Sequence, residues 1–222
     1  MRRGLVEEVF ATEAAAHRFG DLLDGAVVHP ITERASKALT DTVTPVGLVA
    51  VCRIPEVSLG DVLTSPRLVA IAVETSDPGN AGTLIRLADA MGADAFILAG
   101  DSVDPYNPKC LRASAGSIFS VPVISVADSL ALVSELVSAK LVVMAATLDG
   151  ESSLPDLDLG VPTAWLFGSE AHGLPAEVAA AADVRVTIPM AGGAESLNVA
   201  AAAAICLYQS ARAQRGGSGQ AR

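Results

Sequence analysis

Three short segments of this 222-residue chain carry polar side chains at turns where the backbone is otherwise small or apolar. In the last of them, Ile188-Pro189-Met190-Ala191-Gly192-Gly193-Ala194-Glu195-Ser196-Leu197-Asn198, a strand-like run breaks into small residues and then opens a helix. A Gly-Gly pair lets backbone approach a ligand closely, and the free N–H groups of a helix start suit a polar or anionic group. The middle segment, Trp165 to Pro175, runs from an apolar strand into a Gly-flanked loop and sets Glu170 just past a strand's carboxyl end, where ligands bind in parallel sheets. Its order Gly-Ser-Glu-Ala-His-Gly does not fit G-x-S-x-G, and no His follows His172 to complete a triad, so acyl-transfer chemistry is not indicated and His172 reads as a turn residue. The first segment, Glu74 to Arg86, offers Asn80 as the N-cap of a helix whose buried stripe is Leu84, Leu87, Ala88 and Met91. Arg86 then projects off the core face about one and a half turns on, near enough to act with Asn80. Taken singly these are a solvated Arg, a turn and a capped core helix. Together they describe a small-molecule cradle supplied with a guanidinium, a carboxylate and amides.

The elements that must position these groups follow a βα rhythm. Continuous apolar runs predict strands at Leu68 to Val73, Ala95 to Ala99, Ser120 to Ile124, Leu141 to Ala146, Thr163 to Phe167 and Val184 to Ile188, with helical patterns between most of them. Such alternation predicts a parallel sheet with helices on both faces, and all three motif segments fall at carboxyl ends of strands. Ahead of it, residues 5 to 54 read as a small α/β module: a strand over Leu5 to Thr12, a helix near Glu13 to Leu22, a strand over Ala26 to His29, a helix near Thr32 to Leu39 and a strand over Val46 to Ile54. It begins abruptly on a strand, as a module incomplete at its N-terminus would. Pro55 to Pro66 reads as the linker. Residues 67 to 213 form the large domain, and 214 to 222, Gly-rich at the end, read as a flexible tail.

Composition bounds the setting. A hydrophobic fraction of 51% with 18% charged residues can bury a sizeable core. Cys52, Cys110 and Cys206 lack the close spacing of metal sites or disulfide scaffolds and read as reduced, mostly buried thiols. No run reaches the roughly 18 apolar residues of a membrane span, and Glu7 and Glu8 follow the start where a signal peptide would be apolar, which predicts a cytoplasmic protein. The formal charge of −10 weighs against broad phosphate binding, although Arg86, Lys109 and Arg112 form a local basic group. Five Phe, two Tyr and one Trp are too few for a stacking platform.

From Arg67 to Ala213 the chain resembles the SpoU (TrmH-type) branch of the SPOUT RNA methyltransferases. The resemblance lies in Asn80 with Arg86, in Gly168, Glu170 and Gly173 after a strand, and in Ile188-Pro189-Met190 followed by Ser196-Leu197-Asn198. It implies a SPOUT-type parallel α/β sheet with a C-terminal deep trefoil knot, a topology no pattern of apolar residues would suggest. It further implies an S-adenosylmethionine (AdoMet) pocket at Thr147, Gly168, Ile188, Met190 and Leu197, a homodimer, an RNA substrate in ribosomal or transfer RNA, and no metal. Residues 5 to 54 resemble the C-terminal part of a ribosomal-protein-like substrate-binding domain whose usual first helix and strand are missing here.

The chemistry so implied is methyl transfer to a ribose 2′-oxygen, an in-line displacement governed by positioning and electrostatics. A guanidinium is not deprotonated in proteins, so Arg86 reads as a phosphate clamp and stabiliser of the developing alkoxide, the proton acceptor being left open. Asn80, Glu170, Ser196 and Asn198 would orient Arg86 and the ribose, while Lys109 and Arg112 read as RNA phosphate contacts, with solvated helix charges as the nearest alternative. The competing class is a non-catalytic RNA-binding or ribosome-assembly factor that keeps the pocket, a reading suggested by the acidic charge and clipped start. A nicotinamide-dependent oxidoreductase is disfavoured, since no G-x-G-x-x-G follows the first strand of the large domain.

Overall fold

A computed structural model describes residues 4–217, which fall into two compact units, one ending at Glu56 and the other beginning at Val57. In the smaller unit β1 (Val6–Ala11) is central, paired in parallel with β2 (Val27–Pro30) and antiparallel with β3 (Leu48–Cys52). The helix expected over 13 to 22 is two short ones, α1 (Glu13–Arg18) and α2 (Gly20–Leu23), because Phe19 ends the first and Gly20 starts the second. The second expected helix is α3 (Glu33–Ala38), and the Thr12 and Thr32 side chains cap α1 and α3. This unit buries few large side chains and leaves Val27, Val43, Val46 and Ile54 exposed.

The segment expected to be a bare linker contains α4 (Leu59–Val62). Ser58 and Asp61 cap it reciprocally, and Leu59, Val62 and Leu63 pack on the core of the larger unit. That unit is a seven-stranded sheet in the order β6-β5-β4-β9-β7-β10-β8, every recorded pairing parallel. Its strands are β4 (Leu68–Val73), β5 (Ala95–Ala99), β6 (Val123–Val126), β7 (Val142–Ala146), β8 (Ser152–Ser153), β9 (Thr163–Phe167) and β10 (Val184–Thr187). Three of the six expected strands have the expected bounds. The edge strand β6 starts later than Ser120 because Ser117–Phe119 forms a 3-10 turn and Pro122 has no N–H to give a ladder. Two-residue β8 carries no hydrophobic pattern and was not expected.

Alternate residues of β4 face opposite sides, as a pleated strand buried on both faces requires. Leu68, Ala70 and Ala72 meet α5 (Pro78–Met91), α6 (Pro108–Ala113) and α9 (Val199–Gly217) on one side. Val69, Ile71 and Val73 meet α7 (Ser129–Ser138) and α8 (Ala176–Ala181) on the other. Burial on the first face pushes the Cys110 thiol up to about 11 and the Cys206 thiol up to about 12, while Cys52 is half-buried. Two of the three thiols expected to be mostly buried, Cys110 and Cys206, are therefore core side chains, and Cys52 is not.

Helix α9 lies across β4 and β9 and is fastened by hydrogen bonds that polar residues inside an apolar layer must make. The Trp165 indole N–H donates to Ser210 Oγ at 2.9 Å with both residues fully buried. Further along, Gln214 Nε2 donates to the carbonyls of Arg67 and Val161, each at 3.0 Å. Residues 214 to 217, expected to belong to the tail, are instead part of the helix. Gln214 is buried because its amide closes two carbonyls at the strand entrances, and the helix continues to Gly217, with 218–222 lying outside the described residues. Ser210→Ala would leave the indole N–H buried without an acceptor, and the expected loss is about 1–3 kcal/mol in equilibrium urea unfolding. An unchanged midpoint and slope would show that the bond does not hold the helix.

Candidate functional site

The spatial order β9-β7-β10 sets side by side the carboxyl ends of three strands that are distant in sequence, and a cavity of about 840 Å³ opens beyond them. Thr147 and Leu148 line it after β7, Gly168 to Leu174 after β9, and Ile188 and Met190 after β10, while Ser196 to Val199 close it at the start of α9. Thr147, Gly168, Ile188, Met190 and Leu197, the residues expected at a cofactor, all lie on this lining, as do Glu170, Ser196 and Asn198.

Gly168 makes the middle loop possible. A Cβ there would lie 2.1 Å from the carbonyl carbon of Gly173 and 2.2 Å from the nitrogen of Leu174, so the chain folds back against a backbone with no side chain. Ser169 N–H donates to Gly173 O at 3.1 Å and Gly173 N–H returns a bond to Ser169 O at 2.9 Å. Glu170, Ala171 and His172 project from this closed turn, all exposed. His172 is thus a turn residue that also lines the cavity.

Asn198 joins the middle and last loops. Its Oδ1 accepts from Ala200 N–H at 2.9 Å and caps α9, while its Nδ2 donates to Glu170 Oε1. The sequence reading of a capped helix start holds here, one residue before Val199. At the other wall, Thr147 N–H donates to Val186 O at 2.9 Å, which fastens the loop after β7 to β10. Thr147 Oγ1 is buried with no hydrogen-bond partner. An orphaned hydroxyl on a cavity wall of Phe167, Leu148, Ile188 and Leu197 suits a ligand that joins a flat apolar ring to polar edges. AdoMet is such a ligand, and the residues present fit it.

Asn80 and Arg86 do not line the cavity. They sit on α5, which leaves the carboxyl end of β4, the strand beside β9. Asn80 is not the N-cap. Asp77 is, its Oδ1 accepting from Asn80 N–H at 2.9 Å, because Pro78 fits the first helical position where no N–H is needed. Asn80 thereby keeps its side chain for other partners, and Arg86 is exposed as expected. Lys109 is not a free cation: its ammonium donates to Asp77 Oδ2 at 2.7 Å. That bond, with the Asn80 amide, holds the Asp77 carboxyl below the usual carboxylate range. Arg112 is exposed on α6. The sequence reading missed Leu148, Asp149 and Arg185 on the lining. The first two follow a parallel strand and were findable by that rule, whereas Arg185 lies within a strand and had no local signal.

The SpoU rRNA Methylase family matches residues 67–208. The 23S rRNA (guanosine(2553)-2′-O)-methyltransferase RlmP of Bacillus subtilis (strain 168) is 35% identical over 205 residues, 92% of this chain and 80% of that protein. The 23S rRNA (uridine(2479)-2′-O)-methyltransferase of Streptomyces viridochromogenes is 37% identical over 175 residues, 76% of this chain but only 61% of that protein. Among solved structures, the SpoU methyltransferase AviRb of Streptomyces viridochromogenes in complex with AdoMet superposes with a TM-score of 0.84 at 31% identity, covering 96% of this chain and 85% of that one. A parallel α/β sheet, a cavity built from the motif loops and this match over most of its length agree: the chain belongs to the SpoU rRNA methylase family.

Proposed function

We propose that the chain is an AdoMet-dependent methyltransferase acting on a ribose 2′-hydroxyl of RNA, with ribosomal RNA the favoured substrate. The observation that carries this reading is the single cavity shared by the loops after β7, β9 and β10, in which Glu170 and Asn198 are hydrogen-bonded to each other. When bound, AdoMet supplies an electrophilic sulfonium methyl. The chain's residues supply walls and orientation: Thr147, Gly168, Ile188, Met190 and Leu197 shape the cofactor slot, and Glu170, Ser196 and Asn198 orient the ribose. Arg86 holds an RNA phosphate and the developing alkoxide, with Asn80 ahead of it on the same helix, and Arg112 adds a phosphate contact. Lys109 has a nearer partner in Asp77, which supports a structural part for it in addition to any contact with RNA. The small unit selects the target, and an RNA substrate makes the chain cytoplasmic. Among the described residues no helix is long and apolar enough to cross a membrane.

The same reading includes a deep trefoil knot in the C-terminal segment, supported by the insertion of β9 between β4 and β7 and by the return of α9 onto β4 and β9. It also includes a homodimer. The support is an apolar stripe at helical spacing on the outer face of α9, Ala201, Ile205 and Tyr208, whose last two members are 37% and 54% exposed. Leu197, at 37% exposure, precedes it from the cavity lining, so the stripe begins where the site ends.

Incubation with labelled AdoMet and ribosomal RNA is expected to give methyl incorporation at a 2′-oxygen. Arg86→Ala should lower the rate by about 100-fold or more while calorimetric AdoMet binding persists. Undiminished turnover in that variant contradicts the role of Arg86, and AdoMet binding by the wild type without methylation of any RNA favours the non-catalytic factor. Light scattering is expected to give two chains per particle, and Ile205→Asp with Tyr208→Asp one. A monomeric wild type removes the dimer from the reading.

A further inference from the structure

The loop from β7 to β8 passes over β10, which pairs with both of those strands. Its approach is close: a Cβ on Gly150 would lie 2.6 Å from the carbonyl carbon of Val186 and 2.7 Å from the nitrogen of Thr187. Thr187 Oγ1 donates to Leu148 O at 3.4 Å. Beyond that the contact is ionic. Arg185 Nε donates to Glu151 Oε2 at 2.9 Å, Nη2 lies 2.9 Å from the same oxygen, and Nη1 lies 3.5 Å from Asp149 Oδ2. The backbone N–H of Arg185 also points at Glu151 Oε1, at 3.4 Å. One carboxylate thus holds one arginine by main chain and guanidinium together, a geometry with more directional hold than a single exposed ion pair.

The loop so fixed contributes Thr147, Leu148 and Asp149 to the cavity, and Arg185 lines it too, whereas Glu151 does not. Leu148 is 68% exposed, so no core packing holds it in place. Beyond the Thr187 bond to its carbonyl, Leu148 is held through the residues that follow it, Asp149, Gly150 and Glu151, which are clamped to β10. We propose that Glu151, acting through Arg185, is a positioning residue for the cofactor: it sets how tightly the cavity holds AdoMet without touching it. This rests on the reading of the cavity as the AdoMet site. Glu151 removes the freedom of the Leu148 wall before AdoMet arrives, so the ordering is not charged against binding.

Glu151→Gln in the full chain tests this, with AdoMet affinity measured by calorimetry and steady-state rates measured on ribosomal RNA. Kd for AdoMet should rise about three- to fivefold, the scale of an exposed ion pair, and the change should appear in KM for AdoMet rather than in kcat. The gap from wild type should narrow in high salt, as it does for exposed charges. Glu151→Asp should recover part of the affinity, and so should the reversed pair of Glu151→Arg with Arg185→Glu, which keeps the question answerable if the neutral variant folds poorly. Wild-type affinity in Glu151→Gln, or a loss carried by kcat alone, overturns the proposal. Failure of the wild-type chain itself to bind AdoMet overturns the cavity reading instead, and the positioning role with it.

Discussion

Strand β9 is hydrogen-bonded along both edges, to β4 on one side and to β7 on the other, and every residue from Thr163 to Phe167 is buried. A strand in that position has no solvent-facing edge or face, so its sequence is a continuous apolar run and its register is fixed by layers on both sides. Its carboxyl end is then fixed as well. Gly168, the next residue, starts the turn that projects Glu170, and β7 and β10 end beside it. The cavity follows from strand order. Three loops separated by tens of residues become neighbours because β9 is inserted next to β7 and β10 lies on the far side of β7.

The last helix completes the arrangement. Asn198 caps it and holds Glu170, Trp165 bonds Ser210 in the buried layer, and Gln214 closes carbonyls at the opposite end. The helix that carries the final motif is therefore fastened along its length to the strand that carries the middle one. A cofactor bound between the loops would find its walls already ordered, with the affinity advantage of preorganisation. The acidic balance of the chain is compatible with an RNA substrate because the basic groups are local. Arg86 and Arg112 are exposed on neighbouring helices, while Asp77 already neutralises Lys109.

Much of this was legible in the residues. Hydrophobic runs gave β4, β5 and β9 their bounds, since strands buried on both faces leave no ambiguity of period. Family resemblance led to eight of the residues that line the cavity, from Thr147 to Asn198. What stayed hidden depended on partners remote in sequence. The bond from Asn198 to Glu170, the clamp of Glu151 on Arg185 and the pairing of Lys109 with Asp77 each join side chains from separate elements. Asp77 as the cap of α5 was legible from the Asp-Pro pair, and Asn80 lies inside the first turn. The burial of Gln214 had no signal, since Arg215, Gly216 and Gly217 follow it.

Hydrogen–deuterium exchange of the wild-type chain with and without AdoMet tests the central claim most directly, because it reads the three loops separately in one experiment. The account predicts added protection in peptides covering residues 146–149, 168–174 and 186–198 together, with residues 5–56 unchanged. Protection confined to one loop, or appearing only in the smaller unit, would contradict it.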